Sequence, residues 1–260
     1  MADRSAVHIE TDGEWTSAPG PVTDNNLYSG EHYDARREIP GWAEPGPSPA
    51  PWVPVRPANA PGGELLPQPI PPMRRVEELA AVSLETLEPG LQVADFGQNF
   101  SGWVRLRVEA PEGTEIRLRF AENRHPDGRI DPASTGVFAT RVEQLDRYIC
   151  RGGGPETWEP RFTYHGFRYV ELSGQPRDFQ TSDLTGVVVH TDLKTAGGFN
   201  CGEERLTTLH RMALWTHRSN IHGIPEDCPA RERCGWLGDA IMVAEYSMWN
   251  FQARTFWEKY

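Results

Sequence analysis

The sequence predicts a mixed, multi-domain fold, an antiparallel β-sandwich followed by helices. Three observations carry this. Apolar residues alternate with a period of two between residues 75 and 190. The period lengthens to that of a helix after Gly198. A proline-rich stretch over 38–73 sets both apart from a short N-terminal piece.

In chain order, residues 1–37 hold strand-like pieces at His8–Glu10 and Leu27–Glu31. Twelve of the 23 prolines then fall within 38–73. Proline fixes φ and donates no backbone hydrogen bond, so this stretch is expected to be extended and irregular. Trp42 and Trp52 favour a strap lying on a domain surface over a free linker.

Val104, Leu106 and Val108 alternate with Arg105 and Arg107; Ile116, Leu118 and Phe120 alternate with Arg117 and Arg119. Each run has one dry and one wet face. Pro111–Thr114 reads as a turn joining them into a hairpin. Its arginines read as a solvated face, not a phosphate groove. Further strands are expected at 143–150, 161–172 and 184–190, a spacing that suits a sandwich. Leu206, Leu209, Ala213 and His217 recur at helical spacing, with Asn200 or Gly202 as the start. A Gly- and Pro-rich loop covers 221–238, a second helix is expected from Asp239 to Asn250, and a third begins near Ala253.

Composition narrows the function. The chain has 260 residues, 38% of them hydrophobic and 24% charged, as in globular proteins. A net charge of -11 argues against nucleic acid and against an anionic membrane as partners. No apolar run approaches the ~20 residues that span a bilayer. Cys150, Cys201, Cys228 and Cys234 are irregularly spaced, without a disulfide framework. No CxxC or HxxxH pair supports zinc, so neither metal nor cofactor is expected. Met1–Ser5 has no apolar signal core, which means cytoplasmic residence only if Met1 is the true start. Nine Trp and seven Tyr suit a sugar-binding cleft, and equally a β-sandwich core.

The chemistry concentrates in Ile224–Asp239, which holds Glu226, Asp227, Glu232, Asp239, Arg231, Arg233 and Trp236. Its prolines and glycines break a helix, but a folded loop can make carboxylates converge. Clustered carboxylates hold protons to higher pH, as a general acid requires. The plainer reading has Asp239 capping the next helix, Arg231 and Arg233 in salt bridges with Asp227 and Glu232, and Trp236 in the core. The residues alone leave both open.

The run from Asp227 to Asp239, DCPARERCGWLGD, resembles the catalytic loop of bacterial α-L-rhamnosidases, with Ala230 where Gln is usual and Cys234 where Leu or Met is common. Asp95–Trp103 and Pro160–Tyr169 resemble two β-sandwich motifs of that family, and Gly30–Arg36 also matches. The resemblance implies an inverting glycoside hydrolase that removes terminal α-L-rhamnose from rhamnosides, a carbohydrate partner. Glu232 then aligns with the proton donor. Asp227 and Asp239 align with residues that hold rhamnose hydroxyls and tune the acid. Arg231 and Trp236 become substrate contacts, the indole facing the C6 methyl. His165 and Arg168 would hold the sandwich against the catalytic domain, and Asp95, Gln98 and Asn99 would form turns.

The implied catalytic domain is an (α/α)6 barrel whose far half supplies the general base. Inversion uses two carboxyl groups roughly 6.5–9.5 Å apart. Residues 199–260 suffice for about three helices. The chain is therefore expected to be a fragment with a truncated barrel, inactive by itself. Glu10–Trp15 resembles the tail of an earlier family sandwich. The expected divisions are 1–74, the tail of an N-terminal β domain plus strap; 75–195, a β-sandwich; and 196–260, the start of the barrel. The rival is a non-catalytic sugar-binding β-sandwich, which has no use for Glu232. The particular rhamnoside and the oligomeric state are left open.

Overall fold

The computed structural model describes residues 6, 8–46, 50–136 and 141–260. The Met1–Ser5 start and the strap prolines Pro47 and Pro49 lie outside the described residues. At the N-terminus β1 (Thr16–Ser17) is followed by the antiparallel pair β2 (Val22–Asn26) and β3 (Gly30–Asp34). His8–Glu10 is irregular, and Leu27–Ser29 is a turn rather than a strand. The Asn26 carboxamide explains the turn, since its Oδ1 accepts from the N–H groups of Tyr28 and Ser29 at 2.8 and 3.3 Å.

Among the described residues, the strap up to Pro72 is irregular apart from β4 (Val53–Pro54), which pairs with β1. Trp52 is half-buried there, whereas Trp42 stands exposed, so one indole of the two beds the strap.

Ten strands follow: β5 (Met73–Ala80), β6 (Ser83–Glu88), β7 (Leu91–Val108), β8 (Glu115–Ala121), β9 (Asn123–Arg124), β10 (Ile130–Asp131), β11 (Leu145–Ile149), β12 (Glu156–Trp158), β13 (His165–Ser173) and β14 (Leu184–Thr191). They are linked in the order β2-β3-β11-β8-β13-β7-β14-β5, with β6 and β12 also on β7 and β9–β10 a separate pair. Pairings are antiparallel except β3 with β11. One curled sheet thus replaces the two separate layers of a simple sandwich.

The expected hairpin between β7 and β8 does not form. The Pro111–Thr114 turn is present, but β8 pairs with β11 and β13, while the end of β7 pairs with β12 and β14. The cause is the course of β7. It runs beside β13 up to Gly102, then passes to β14. Gly102 has φ +150°, and a Cβ there would lie 1.9 Å from the Val187 carbonyl oxygen, so only glycine permits the crossing. The turn after β7 therefore bridges between parts of the sheet.

The alternation itself holds. Val104, Leu106, Val108, Ile116, Leu118 and Phe120 are all buried, in one cluster with Phe100 and Phe167. Each such large side chain contributes roughly 1.5–3 kcal/mol on full burial. The arginines between them are ion-paired on the other face: Arg105 with Glu78 and Glu159, Arg107 with Asp183, Arg117 with Glu115, and Arg119 with Glu143 and Glu171.

Three helices complete the chain: α1 (Glu204–Arg218), α2 (Leu237–Asn250) and α3 (Arg254–Lys259). Glu203, not Asn200 or Gly202, caps α1, accepting from Arg205 N. Trp236 is the N-cap of α2 without a side-chain cap bond, and Asp239 sits in its first turn, where a carboxylate suits the helix dipole. A second cluster, including Ile70, Leu193, Ile221, Phe251 and Phe256, ties the helices to the sheet. Leu206, Leu209, Ile241 and Met242 point outward. Among the described residues, no helix is long and apolar enough to cross a membrane.

Candidate active site

The loop between α1 and α2 is closed at its neck by one residue pair. Asp227 N donates to the Cys234 carbonyl at 3.1 Å, and Cys234 N donates to Asp227 Oδ1 at 3.1 Å. Residues 228–233 are the enclosed turn. Arg233 takes a left-handed conformation there, φ +52°, uncommon for a residue with a Cβ. It turns its side chain into the protein, donating to the Pro229 carbonyl at 2.8 Å and to Gln144 Oε1 at 3.2 Å. The guanidinium lies over the rings of Tyr164 and Tyr28, 4.5 and 5.4 Å from their centroids. Burial pulls its pKa down. Arg233 is thus an anchor for the turn rather than a partner of Asp227 or Glu232.

With Arg233 inward, Glu232 faces out. Its Oε1 is ion-paired with Arg231, 2.8 Å from Nη2, and its Oε2 accepts from Trp236 Nε1 at 3.0 Å. The same Arg231 nitrogen is 3.9 Å from Asp227 Oδ2, so one guanidinium spans two carboxylates. Tyr28, from the β2–β3 turn, donates its hydroxyl to the Glu232 carbonyl at 3.2 Å. Asp227 is more enclosed and also accepts from the Cys228 thiol at 3.1 Å. Trp236 is 53% exposed in this chain.

The structure therefore brings Glu232, Arg231, Trp236 and Asp227 together. Asp239 stands apart from that cluster, on the wall of a groove of about 890 Å³ between α1 and α2. Asp227 and Glu226 line the same groove, so Asp227 joins the two.

Sequence reasoning missed the group that holds the loop to the sheet. Glu226 is buried, with Oε2 2.7 Å from His222 Nδ1, and its Oε1 accepts from the Tyr164 hydroxyl at 2.6 Å. His222 Nε2 lies 2.9 Å from the Val189 carbonyl, and its ring stacks on Tyr164 at 4.0 Å. Burial and the adjacent Glu226 push the Tyr164 phenol well up. Tyr164 and Glu226 both lie in motifs visible in the sequence, but nothing local pairs them across 62 positions.

His165 and Arg168 act elsewhere than expected. His165 pairs with buried Asp146 at 3.0 Å, and Arg168 forks onto Asp95 at 2.8 and 2.9 Å, bonds that join parts of the sheet to one another. The contact with the loop falls to their neighbour Gly166, where a Cβ would come within 2.6 Å of Pro229 Cγ. Asp95 lies within β7 rather than in a turn, its Oδ1 accepting from Gly97 N at 2.6 Å. Gln98 and Asn99 lie within β7 as well.

Residues 85–190 match the concanavalin-like domain of bacterial alpha-L-rhamnosidases, 1–77 the alpha-L-rhamnosidase N-terminal domain, and 194–260 the six-hairpin glycosidase domain. An alpha-L-rhamnosidase of Formosa agariphila is 37% identical over 99% of this chain and 27% of its own length. One of Streptomyces avermitilis is 40% identical over 100% of this chain and 25% of its own. Among solved structures, alpha-L-rhamnosidase from Dictyoglumus thermophilum superposes with a TM-score of 0.92 at 42% identity, covering 97% of this chain and 28% of that one. The Streptomyces avermitilis enzyme complexed with L-rhamnose superposes with a TM-score of 0.94 at 39% identity, covering 99% and 25%. The chain spans about a quarter of the length of the curated relatives it matches. Three consecutive domain matches, in order and from one family, place the chain in the bacterial alpha-L-rhamnosidase family.

Proposed function

We propose that the loop is the acid half of an inverting α-L-rhamnosidase site, with Glu232 as proton donor. One observation carries this reading. Glu232 is oriented at both oxygens by Arg231 and Trp236 and yet keeps 37% of its side chain exposed. A general acid must be held and must also reach the glycosidic oxygen. Glu226 is sealed in the Tyr164–His222 contact, and only 11% of the Asp227 side chain is exposed.

In the proposed reaction, protonated Glu232 gives its proton to the glycosidic oxygen as the bond to the anomeric carbon breaks. Water attacks that carbon from the opposite face and loses its proton to a base. Asp227 and Asp239 hold rhamnose hydroxyls, and the exposed face of Trp236 meets the C6 methyl. In the family pattern the base is a glutamate outside these 260 residues. We therefore read α1–α3 as the first helices of an (α/α)6 barrel, and this chain as inactive by itself.

Proton NMR of the first product tests the reaction. A full-length enzyme carrying this segment should release β-L-rhamnose before mutarotation, and α-L-rhamnose appearing first would overturn inversion. Steady hydrolysis of an aryl α-L-rhamnoside by the 260-residue chain, abolished by Glu232→Gln, would overturn the inactivity.

A further inference from the structure

The head of Arg231 reaches Glu232, but its stem rests on a turn that belongs to the sheet. The β9–β10 pair runs into a 3₁₀ turn, Pro132–Thr135, capped by Asp131, whose Oδ1 accepts from Ala133 N at 2.9 Å. Ser134 fastens this turn to the end of β8. Its Oγ accepts from the N–H groups of Glu122 and Asn123 at 3.2 and 3.1 Å and donates to the Asp131 carbonyl at 2.5 Å. Gly136 closes the turn with φ +75°, its N–H donating to the Ala133 carbonyl at 3.0 Å. The turn faces the acidic loop across a cleft of about 320 Å³, bounded in part by Ser134, Gly136, Ala230 and Arg231.

Gly136 lies directly against the Arg231 stem. A Cβ there would stand 2.4 Å from Arg231 Cδ, 2.8 Å from Cγ and 3.2 Å from Cβ. All three atoms belong to the stem, so the clash is relieved only by swinging the side chain away or by moving the loop from the turn. The stem contact matters because the head is lightly held. Among the described residues, Arg231 Nε is shielded from solvent without a hydrogen-bond partner. Nη2 has Glu232 at 2.8 Å and Asp227 at 3.9 Å, and the Arg231 side chain is 40% exposed. A partly exposed ion pair is worth little and does not by itself fix a long side chain. Packing of the aliphatic stem supplies the missing constraint.

We propose that Gly136 is a positioning residue for the acidic loop: the missing side chain is the seat of the Arg231 stem, and the seat sets the guanidinium on Glu232. The proposal rests on the reading of Glu232 as proton donor. It gives the sheet a part in orienting the acid, through the turn that Ser134 fastens to β8. Any side chain at position 136 displaces the stem, including one that tolerates the left-handed backbone.

Gly136→Asn separates the seat from the backbone. Asn accepts the left-handed region more readily than other side chains, yet it brings a Cβ. Gly153 is the control, with φ +86° and nothing within 4 Å of a Cβ, so Gly153→Asn carries the backbone cost and meets no neighbour. On the 260-residue chain, Gly136→Asn should lower the melting temperature by roughly 2–6 °C more than Gly153→Asn does. In an Arg231→Ala background, where the stem is gone, the loss should be less than about half as large. In a full-length enzyme carrying this segment, Gly136→Asn should lower kcat on a natural rhamnoside roughly 3–10-fold and on 4-nitrophenyl α-L-rhamnoside at most about twofold. Once Arg231→Ala is present it should have no further effect. Equal melting losses with and without the Arg231 stem, or losses in kcat that add to those of Arg231→Ala, overturn the positioning role. Equal kcat losses on the two substrates also overturn it where Glu232→Gln still distinguishes them. Where Glu232→Gln does not distinguish them, the reading of Glu232 as the acid falls, and the melting comparison alone decides whether Gly136 seats Arg231.

Discussion

The indole N–H of Trp236 donates to Oε2 of Glu232 at 3.0 Å from the N-cap position of α2. The two are four positions apart, and the helix start fixes where the indole stands. Trp236 is therefore a positioning group for the proposed acid as well as a candidate face for the substrate. Trp236→Phe keeps a ring and removes the donor. In a full-length enzyme carrying this segment, kcat should fall about 3–10-fold with KM little changed, as for one partly exposed bond to a charged group. An unchanged kcat, or a change confined to KM, contradicts the positioning role.

Tyr164→Phe should destabilise the chain by roughly 1.5–3 kcal/mol, the range for a hydrogen bond to a charged group. The hydroxyl it removes bonds Glu226 at 2.6 Å, while the ring stacked on His222 remains. Urea denaturation should show a lower midpoint with an unchanged slope. An unmoved midpoint means that the Tyr164–Glu226 bond does not hold the loop to the sheet.

Two buried histidines set a pH dependence. Burial lowers His217 from 6.5 to about 4, and also lowers His190. Their neutral forms are favoured in the folded protein, so the unfolded chain binds more protons below pH 6.5. Their contribution to stability is fully present above pH 6.5 and is lost as pH falls from 6.5 towards about 4. For His217 it is on the order of 3 kcal/mol. Denaturation between pH 7 and 5 should show this fall, and His217→Gln should flatten it. A parallel fall in the variant contradicts the assignment.

Asp227 and Asp239 should separate by experiment. Asp239→Ala should weaken L-rhamnose binding and lower stability by no more than about 0.3–1 kcal/mol, the helix-dipole contribution of an exposed carboxylate in the first turn of α2. Asp227→Ala should weaken binding and also lower stability by about 1–2 kcal/mol, because it strips an acceptor from Cys234 N and the Cys228 thiol. Unchanged rhamnose affinity in both variants removes them from the proposed site.

The legible parts of this fold were the local ones. The alternation from Val104 to Phe120 marked both strands and their buried faces, because a strand's period is written in adjacent residues. The partners of those strands were not legible. They depend on β7 crossing at Gly102, which Val187, 85 positions on, enforces. The helix limits were nearly right for the same local reason, while the cap of α1 moved to Glu203. In the loop, the residue types left acid chemistry and plain salt bridges both open, and both arginines looked alike. The left-handed turn at Arg233 separates them, sending it under Tyr164 and Tyr28 and leaving Arg231 for Glu232. Glu226, one of the loop's four carboxylates, became structural through His222 and Tyr164.

The central claim is that Glu232 donates the proton, and a comparison of leaving groups tests it most directly. Glu232→Gln keeps a side chain that can meet Trp236 but cannot give up a proton. In a full-length enzyme carrying this segment, the variant would be assayed on a natural rhamnoside, whose poor leaving group needs protonation, and on 4-nitrophenyl α-L-rhamnoside, whose leaving group does not. The account predicts a loss of roughly 10²–10⁴-fold on the natural rhamnoside and a far smaller loss on the aryl substrate. Equal losses on the two would contradict it.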